Sequence, residues 1–256
     1  MTRIAVATTS QLAADAAAEV AALGGNAVDC ALAASLLSIN TEPGVCALAG
    51  GAFITIWRAG DDPVTIDGNV AVPGDGVTDE QRGHGAVTVT LDYGGGITTL
   101  VGPGAVAVPG TLAAMEQAWK RYGSAAWADI FTPAIRACSE GFPLSAACRY
   151  YLGYAANCIF DRSDDGYAAL HCPEGALHDA GDTIVVPHLA DSLLHIAEEG
   201  ARVFYEGDIA QAIAGHCQDG DGMLTLADLA GYRAIERASI TTTIGDWSIA
   251  SNPPPA

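Results

Sequence analysis

The chain has 256 residues, half of them hydrophobic, with 30 acidic against 11 basic side chains and a formal net charge of −19. A mean hydropathy of +0.26 excludes global disorder, and no uninterrupted apolar run reaches the about 18 residues of a membrane span. So few cations exclude nucleic acid and anionic membrane surfaces as partners, because neutralising phosphates needs clustered Lys and Arg.

The first elements are sharply punctuated. Residues 4–8 predict a short strand. Ser10 is placed to cap a helix over 13–23, and Gly24-Gly25 ends it, since glycine accepts the left-handed conformation just past a helix. Asn26 caps a second helix over 27–37, whose face Val28, Leu32, Ser35 and Leu36 is suited to burial. Together they predict an αα-hairpin. Residues 52–57 and 64–66 read as a β-hairpin around the turn 60–63, with the first strand buried on both faces. The stretch 67–85 is Gly-rich loop, and 87–91 with 97–101 form a second hairpin. Helices then dominate: 112–122, 133–139 with Pro133 near its start, 146–158, 189–198, 208–216 and 227–232. Residues 241–250 return to β. The end, Ser251-Asn252-Pro253-Pro254-Pro255-Ala256, neither pairs nor caps, as if the chain were cut in mid-fold.

Several residues could carry chemistry, each beside a plainer reading. Gly102, Gly104 and Ala107 fit G-x-G-x-x-A after a strand. Pro109-Gly110 interrupts the helix a dinucleotide site needs, so a plain turn is expected. Seven cysteines (Cys30, Cys46, Cys138, Cys148, Cys158, Cys172 and Cys217) include no C-x-x-C pair. With no signal-peptide architecture at the start, they suggest reduced thiols in a cytoplasmic protein. His171, Cys172 and His178 lie close but lack the spacing that puts two imidazoles on one helix face. No metal and no organic cofactor are expected. Cys46 reads as a buried apolar cysteine.

Thr241-Thr242-Thr243 needs care. A threonine freed by self-cleavage can use its α-amine as base and its hydroxyl as nucleophile. Only 14 residues run from Thr243 to the end, too few to complete such a site, so exposed strand threonines are expected. Asp67-Gly68-Asn69 ends a strand and opens a glycine-rich loop. It is either a turn or a substrate contact.

The order of motifs resembles the gamma-glutamyltransferase family of N-terminal-nucleophile (Ntn) hydrolases, specifically their large subunit, over essentially residues 1–256. The resemblance is carried by Ala5-Val6-Ala7-Thr8, Gly24-Gly25-Asn26-Ala27-Val28-Asp29, Glu42-Pro43 and Gly50-Gly51-Ala52-Phe53. It continues through Val108-Pro109-Gly110-Thr111, Pro133-Ala134-Ile135, Glu140-Gly141-Phe142 and Leu189-Ala190-Asp191. Phe204-Tyr205-Glu206-Gly207, Leu224-Thr225 with Asp228-Leu229, and Asn252-Pro253-Pro254-Pro255 complete it.

The resemblance implies an α/β (α+β) fold, a partial αββα sandwich with a helix-rich second half. It also implies autoprocessing, a threonine nucleophile outside this chain, and no catalytic residue within it. The implied partners are a small-molecule amide or gamma-glutamyl substrate, as in glutathione metabolism, the small-subunit region, and, in a homo-oligomer, a second copy of the chain. Half a sandwich leaves one sheet face uncovered, so an apolar patch is expected there.

Family members that bind glutamyl groups carry an arginine after the strand-end aspartate, paired with the substrate α-carboxylate. Asn69 occupies that position here, and a neutral amide cannot replace a bidentate charged clamp. Asn69 is thus the implied substrate-binding residue, with Arg58 or Arg82 as spatial substitutes for the cation. The resemblance leaves three readings: a gamma-glutamyltransferase-like amidohydrolase or acyltransferase, an Ntn acylase with a non-glutamyl acyl group, and a non-catalytic binding member.

Overall fold

The computed structural model describes residues 3–254 except Gly83; Pro255, the last proline of the terminal run, lies outside them, as do Ala256, Met1 and Thr2. Helix α1 spans Gln11–Ala22 and α2 spans Ala27–Thr41. Their caps are the expected ones. The Ser10 side chain accepts from the Ala13 amide, and Asn26 forms a reciprocal capping box with Asp29.

Strands β1 (Ala52–Ile56) and β2 (Val64–Gly68) form the expected hairpin. Strands β3 (Val87–Leu91) and β4 (Ile97–Val101) form the next. Helices α3 (Thr111–Tyr122) and α4 (Trp127–Glu140) follow. A small unit comes next: β5 (Phe142–Pro143), α5 (Ala146–Ile159), α6 (Asp164–Leu170) and β6 (Thr183–Ile184). It has its own core of Phe142, Leu144, Leu152, Leu170 and Ile184. Helices α7 (Leu189–Glu199), α8 (Val203–Glu206), α9 (Asp208–Asp219) and α10 (Leu226–Gly231) lead into β7 (Ile235–Ala238). The hairpin β8 (Ile240–Ile244) and β9 (Trp247–Ser251) closes the described chain. No helix among the described residues is long and apolar enough to cross a membrane.

The sheet that organises the molecule is antiparallel, in the order β1-β2-β7. Because side chains alternate along a strand, Ile54, Ile56, Val64 and Ile66 point into the main core with Leu112 and Met115 of α3. Gly68 falls on the same face, where a Cβ would come within 2.4 Å of Ala114 Cβ. Thr65 and Asp67 therefore face away from α3, and Asn69 follows just beyond the strand. This is the helix-and-sheet part of the sandwich, mixed α and β as expected.

Five expectations are corrected. Residues 4–8 form no strand: none of the described residues pairs with them in a ladder, and they lie largely exposed along a pocket shared with α2. The strand buried deepest is β2, not β1. As the central strand, β2 has a neighbour on each side, whereas β1 is an edge and Trp57 just beyond it is exposed. Helix α4 begins six residues before Pro133. The missing N–H there is outweighed by burial of Trp127, Ile130 and Phe131. Cys46 is exposed, because it follows directly on a surface turn at residues 43–45. Finally, the outward sheet face is mixed and not a continuous apolar patch: Thr55, Thr65, Asp67 and Arg237 share it with Phe53 and the exposed Ile235. A separate apolar patch sits on one face of the β8–β9 hairpin, formed by Ile240, Ile244, Trp247 and Ile249.

Candidate functional site

Three backbone turns meet at the end of β2. The amides of Gly110 and Thr111 both donate to the Gly50 carbonyl, at 2.9 and 3.1 Å. A Cβ on Gly110 would lie 2.2 Å from the Gly68 carbonyl oxygen and 2.0 Å from the Tyr232 hydroxyl. A Cβ on Gly51 would lie 3.0 Å from Asn69 Oδ1. The glycines in the Gly50-Gly51, Gly68 and Val108-Pro109-Gly110 motifs are thus explained by close approach.

Two tyrosines hold this junction. Tyr232 Oη donates to the Asn69 carbonyl at 2.5 Å. Tyr205 Oη donates to the Pro109 carbonyl at 3.1 Å and accepts from the Ala113 amide at 3.1 Å. The rings stack with centroids 5.9 Å apart. Burial, together with the nearby Asp67 charge, pushes the Tyr232 phenol up to about 12, and burial raises Tyr205 further. Both hydroxyls therefore keep their protons and serve as donors.

The outward face of the sheet carries a polar ladder. Thr65 Oγ1 is hydrogen-bonded to Thr55 Oγ1 (3.0 Å) and Ser239 Oγ (2.8 Å). Next along β2, the Asp67 carboxylate, with a side chain 7% exposed, accepts from Arg237 Nε at 2.6 Å and from the Asn69 amide at 2.9 Å. Asn69 Oδ1 accepts from the Val70 amide at 2.9 Å, a bond that shapes the turn out of the strand. Beside Gly51, a cleft of about 620 Å³ opens between α2 and β1, lined by Ser35, Cys46, Phe53 and Thr55 among others.

The candidates named from the sequence fall in different places. Asn69 is half-buried, just past the end of β2. Arg58 pairs with Asp61 at 2.6 Å and lies over the Tyr122 ring, while Arg82 pairs with Asp79. Arg82 is engaged within its own loop, and Arg58 between its loop and the end of α3. The cation brought to the strand end is Arg237, which the sequence pattern does not single out. Asp67 and Arg237 lie 170 positions apart, and an arginine in a strand-like run names no partner by itself.

Thr241, Thr242 and Thr243 lie in exposed β8, opposite Ala250, Ile249 and Ser248. Pro103–Ala105 is a single 3₁₀ turn, and the next helix starts only at Thr111. His171 stacks on Tyr167 and faces Asp161 at 3.7 Å, and His178 faces Asp182. Among the described residues, no group of three or more His, Cys, Asp or Glu side chains is placed to hold a metal ion.

Comparison with known proteins gives this geometry a family. Residues 13–256 match the family model described as Gamma-glutamyltranspeptidase. The chain is 31% identical over 236 residues to the glutathione hydrolase proenzyme of Escherichia coli, covering 91% of this chain and 39% of that protein. It is also 31% identical over 260 residues to the acylase ACY 1 proenzyme of Pseudomonas sp. strain V22, covering 98% of this chain and 45% of that one. Among solved structures, Helicobacter pylori gamma-glutamyltranspeptidase superposes with a TM-score of 0.84 at 26% identity, over 100% of this chain and 72% of that chain. The cephalosporin acylase from Bacillus halodurans superposes with a TM-score of 0.76 at 27% identity, over 99% and 48%. The chain spans about two-fifths of the length of the curated relatives it matches, corresponding to their N-terminal, large-subunit part. The chain belongs to the gamma-glutamyltranspeptidase family.

Proposed function

We propose that residues 1–256 act as one large-subunit-type region of an Ntn amidohydrolase or acyltransferase and supply one wall of its acyl pocket. The nucleophile in this reading is a threonine outside these residues, freed by autoprocessing at the start of a small-subunit region that covers the outward face of β1-β2-β7. The observation that carries the reading is the end of β2. There Asp67 and Arg237 gather charged groups on the side of the sheet facing away from the helices, with Asn69 just beyond the strand. An amide substrate would be attacked by the threonine hydroxyl, its acyl group transferred to the enzyme and then passed to water or an amine. Asn69 would contact the acyl group.

A second reading of the acyl group has its own support. By the resemblance, Asn69 takes the place of a charged clamp for an α-carboxylate, and the acylase and the glutathione hydrolase are each 31% identical to this chain. A side-chain acyl group lacking the α-carboxylate fits a neutral amide better. The seven unpaired cysteines support placement in a reducing cytoplasm. Assembly into a homo-oligomer also belongs to this proposal.

The test is to produce the chain together with the small-subunit region and measure turnover of gamma-glutamyl and glutaryl anilides. Turnover of either, lost when the nucleophilic threonine is replaced, supports the reading. Absence of turnover with both, in a correctly processed and folded protein, favours a non-catalytic binding member.

A further inference from the structure

Tyr232, which donates to the Asn69 carbonyl, also lines a second pocket, of about 420 Å³. It is lined by Lys120 and Arg121 of α3, by Arg202 before α8, and by Arg233 after α10, with Tyr232 and one carboxylate, Glu116, also in the wall. Four of the chain's eleven cations therefore converge on one concave surface. Their carboxylate partners are three: Glu116 for Lys120 at 2.9 Å, Glu236 for Arg121, and Glu206 for Arg202. Cations thus outnumber paired carboxylates here, in a chain of net charge −19.

The placement of Lys120 and Arg121 in the last turn of α3 is accounted for by the helix dipole. That argument does not reach Arg202 or Arg233, which come from other segments. Arg233 donates through Nη1 to the Ala230 and Tyr232 carbonyls, both at 2.7 Å. It makes no direct ion pair among the described residues, although its charge also acts on Glu206, the partner of Arg202. The cations of the three ion pairs keep 35–56% of their side chains exposed, whereas Glu116 and Glu236 keep 17% and 28%, so the open side of each cation is where a further oxygen would approach.

We propose that this pocket binds a phosphate dianion. The cations approach from three separate segments. That arrangement suits a tetrahedral anion whose oxygens diverge, whereas a planar carboxylate is satisfied by one guanidinium fork. The pocket has room for a small organic group beyond the phosphate. Tyr232 forms one wall and also donates to the Asn69 carbonyl, so the ligand sits one side chain away from the strand end. The site stands independently of the chemistry proposed above.

Calorimetric titration of the protein with inorganic phosphate and, separately, glycerol 3-phosphate at constant ionic strength tests the site. Saturable binding of at least one is expected. Arg233→Gln and Lys120→Gln should each weaken it about tenfold or more, the loss of one charge-assisted contact. Arg136→Gln, which removes a cation paired with Glu19 elsewhere, should leave it unchanged. Tighter binding of the ester identifies a phosphomonoester ligand, and equal binding identifies the free anion. No saturation with either probe overturns the proposal. So does equal weakening by Arg136→Gln, which would reveal a nonspecific charge effect. Urea unfolding of each variant verifies that it is folded, and the milder Lys120→Gln decides if Arg233→Gln is not.

Discussion

Removing the Arg237 guanidinium should expose how far the strand end depends on it. Arg237→Gln leaves the buried Asp67 carboxylate without its charged partner, held only by neutral donors such as the Asn69 amide. An uncompensated buried charge costs about 3–5 kcal/mol. The Arg237 side chain is 38% exposed, so water reaches the site and reduces the loss to about 2 kcal/mol. Asp67→Asn keeps an acceptor for the Asn69 amide but loses the charge-assisted bond, costing about 1–2 kcal/mol. In the double variant no charge is stranded, so its cost should fall short of the sum by about 1 kcal/mol. Urea unfolding at pH 7 measures all four corners of the cycle. Additivity within about 0.5 kcal/mol would refute the claim that these residues act as a pair.

Three further outcomes follow from the same geometry. Asp29 is fully buried and accepts from the Asn26, Ser124 and Ala125 amides and the Ser124 hydroxyl, so Asp29→Ala should destabilise by about 3 kcal/mol or more in urea unfolding. Burial alone would raise the Asp228 carboxyl, but the Asp75 and Gly74 amides with the Thr225 hydroxyl and amide outweigh it and hold it below the usual range. Its stabilising contribution should therefore be present above the unfolded-state value near 3.8 and be lost as pH falls through the lower folded value; thermal unfolding across that window should be flatter in Asp228→Asn. Gly110→Ala drives a methyl into the Tyr232 hydroxyl and the Gly68 carbonyl, and should cost about 3 kcal/mol, read by thermal unfolding, unless the junction opens.

What is legible in the sequence is local. Ser10, Gly24-Gly25 and Asn26 mark their helix boundaries because caps act within three residues, and all three do as the pattern predicts. The β1–β2 and β3–β4 hairpins are likewise set by nearby turns. What escapes is non-local. Pro133 signals a helix start, but tertiary burial of Trp127, whose indole N–H donates to the Ile196 carbonyl at 3.1 Å, starts the helix six residues earlier. Residues 4–8 have a strand's composition and no partner. Motif order points to Asn69, and nothing nearby in sequence points to Arg237 or Tyr232, whose roles exist only once β2, β7 and α10 come together. The glycines at 68 and 110 look like turn residues, and their reason is contact across 42 positions.

Everything proposed for the reaction depends on Asn69 facing an acyl group at the end of β2. The direct measurement is kcat/KM of the protein with its small-subunit region, for a gamma-glutamyl anilide and for an otherwise identical substrate lacking the α-carboxylate, before and after Asn69→Arg. An arginine there adds a charge-assisted clamp of about 1.5–3 kcal/mol, so preference for the carboxylate-bearing substrate should rise by roughly tenfold or more. If Asn69→Arg and Asn69→Ala alter stability alone and leave kcat/KM unchanged for both substrates, Asn69 shapes a turn and the strand end is not the acyl pocket.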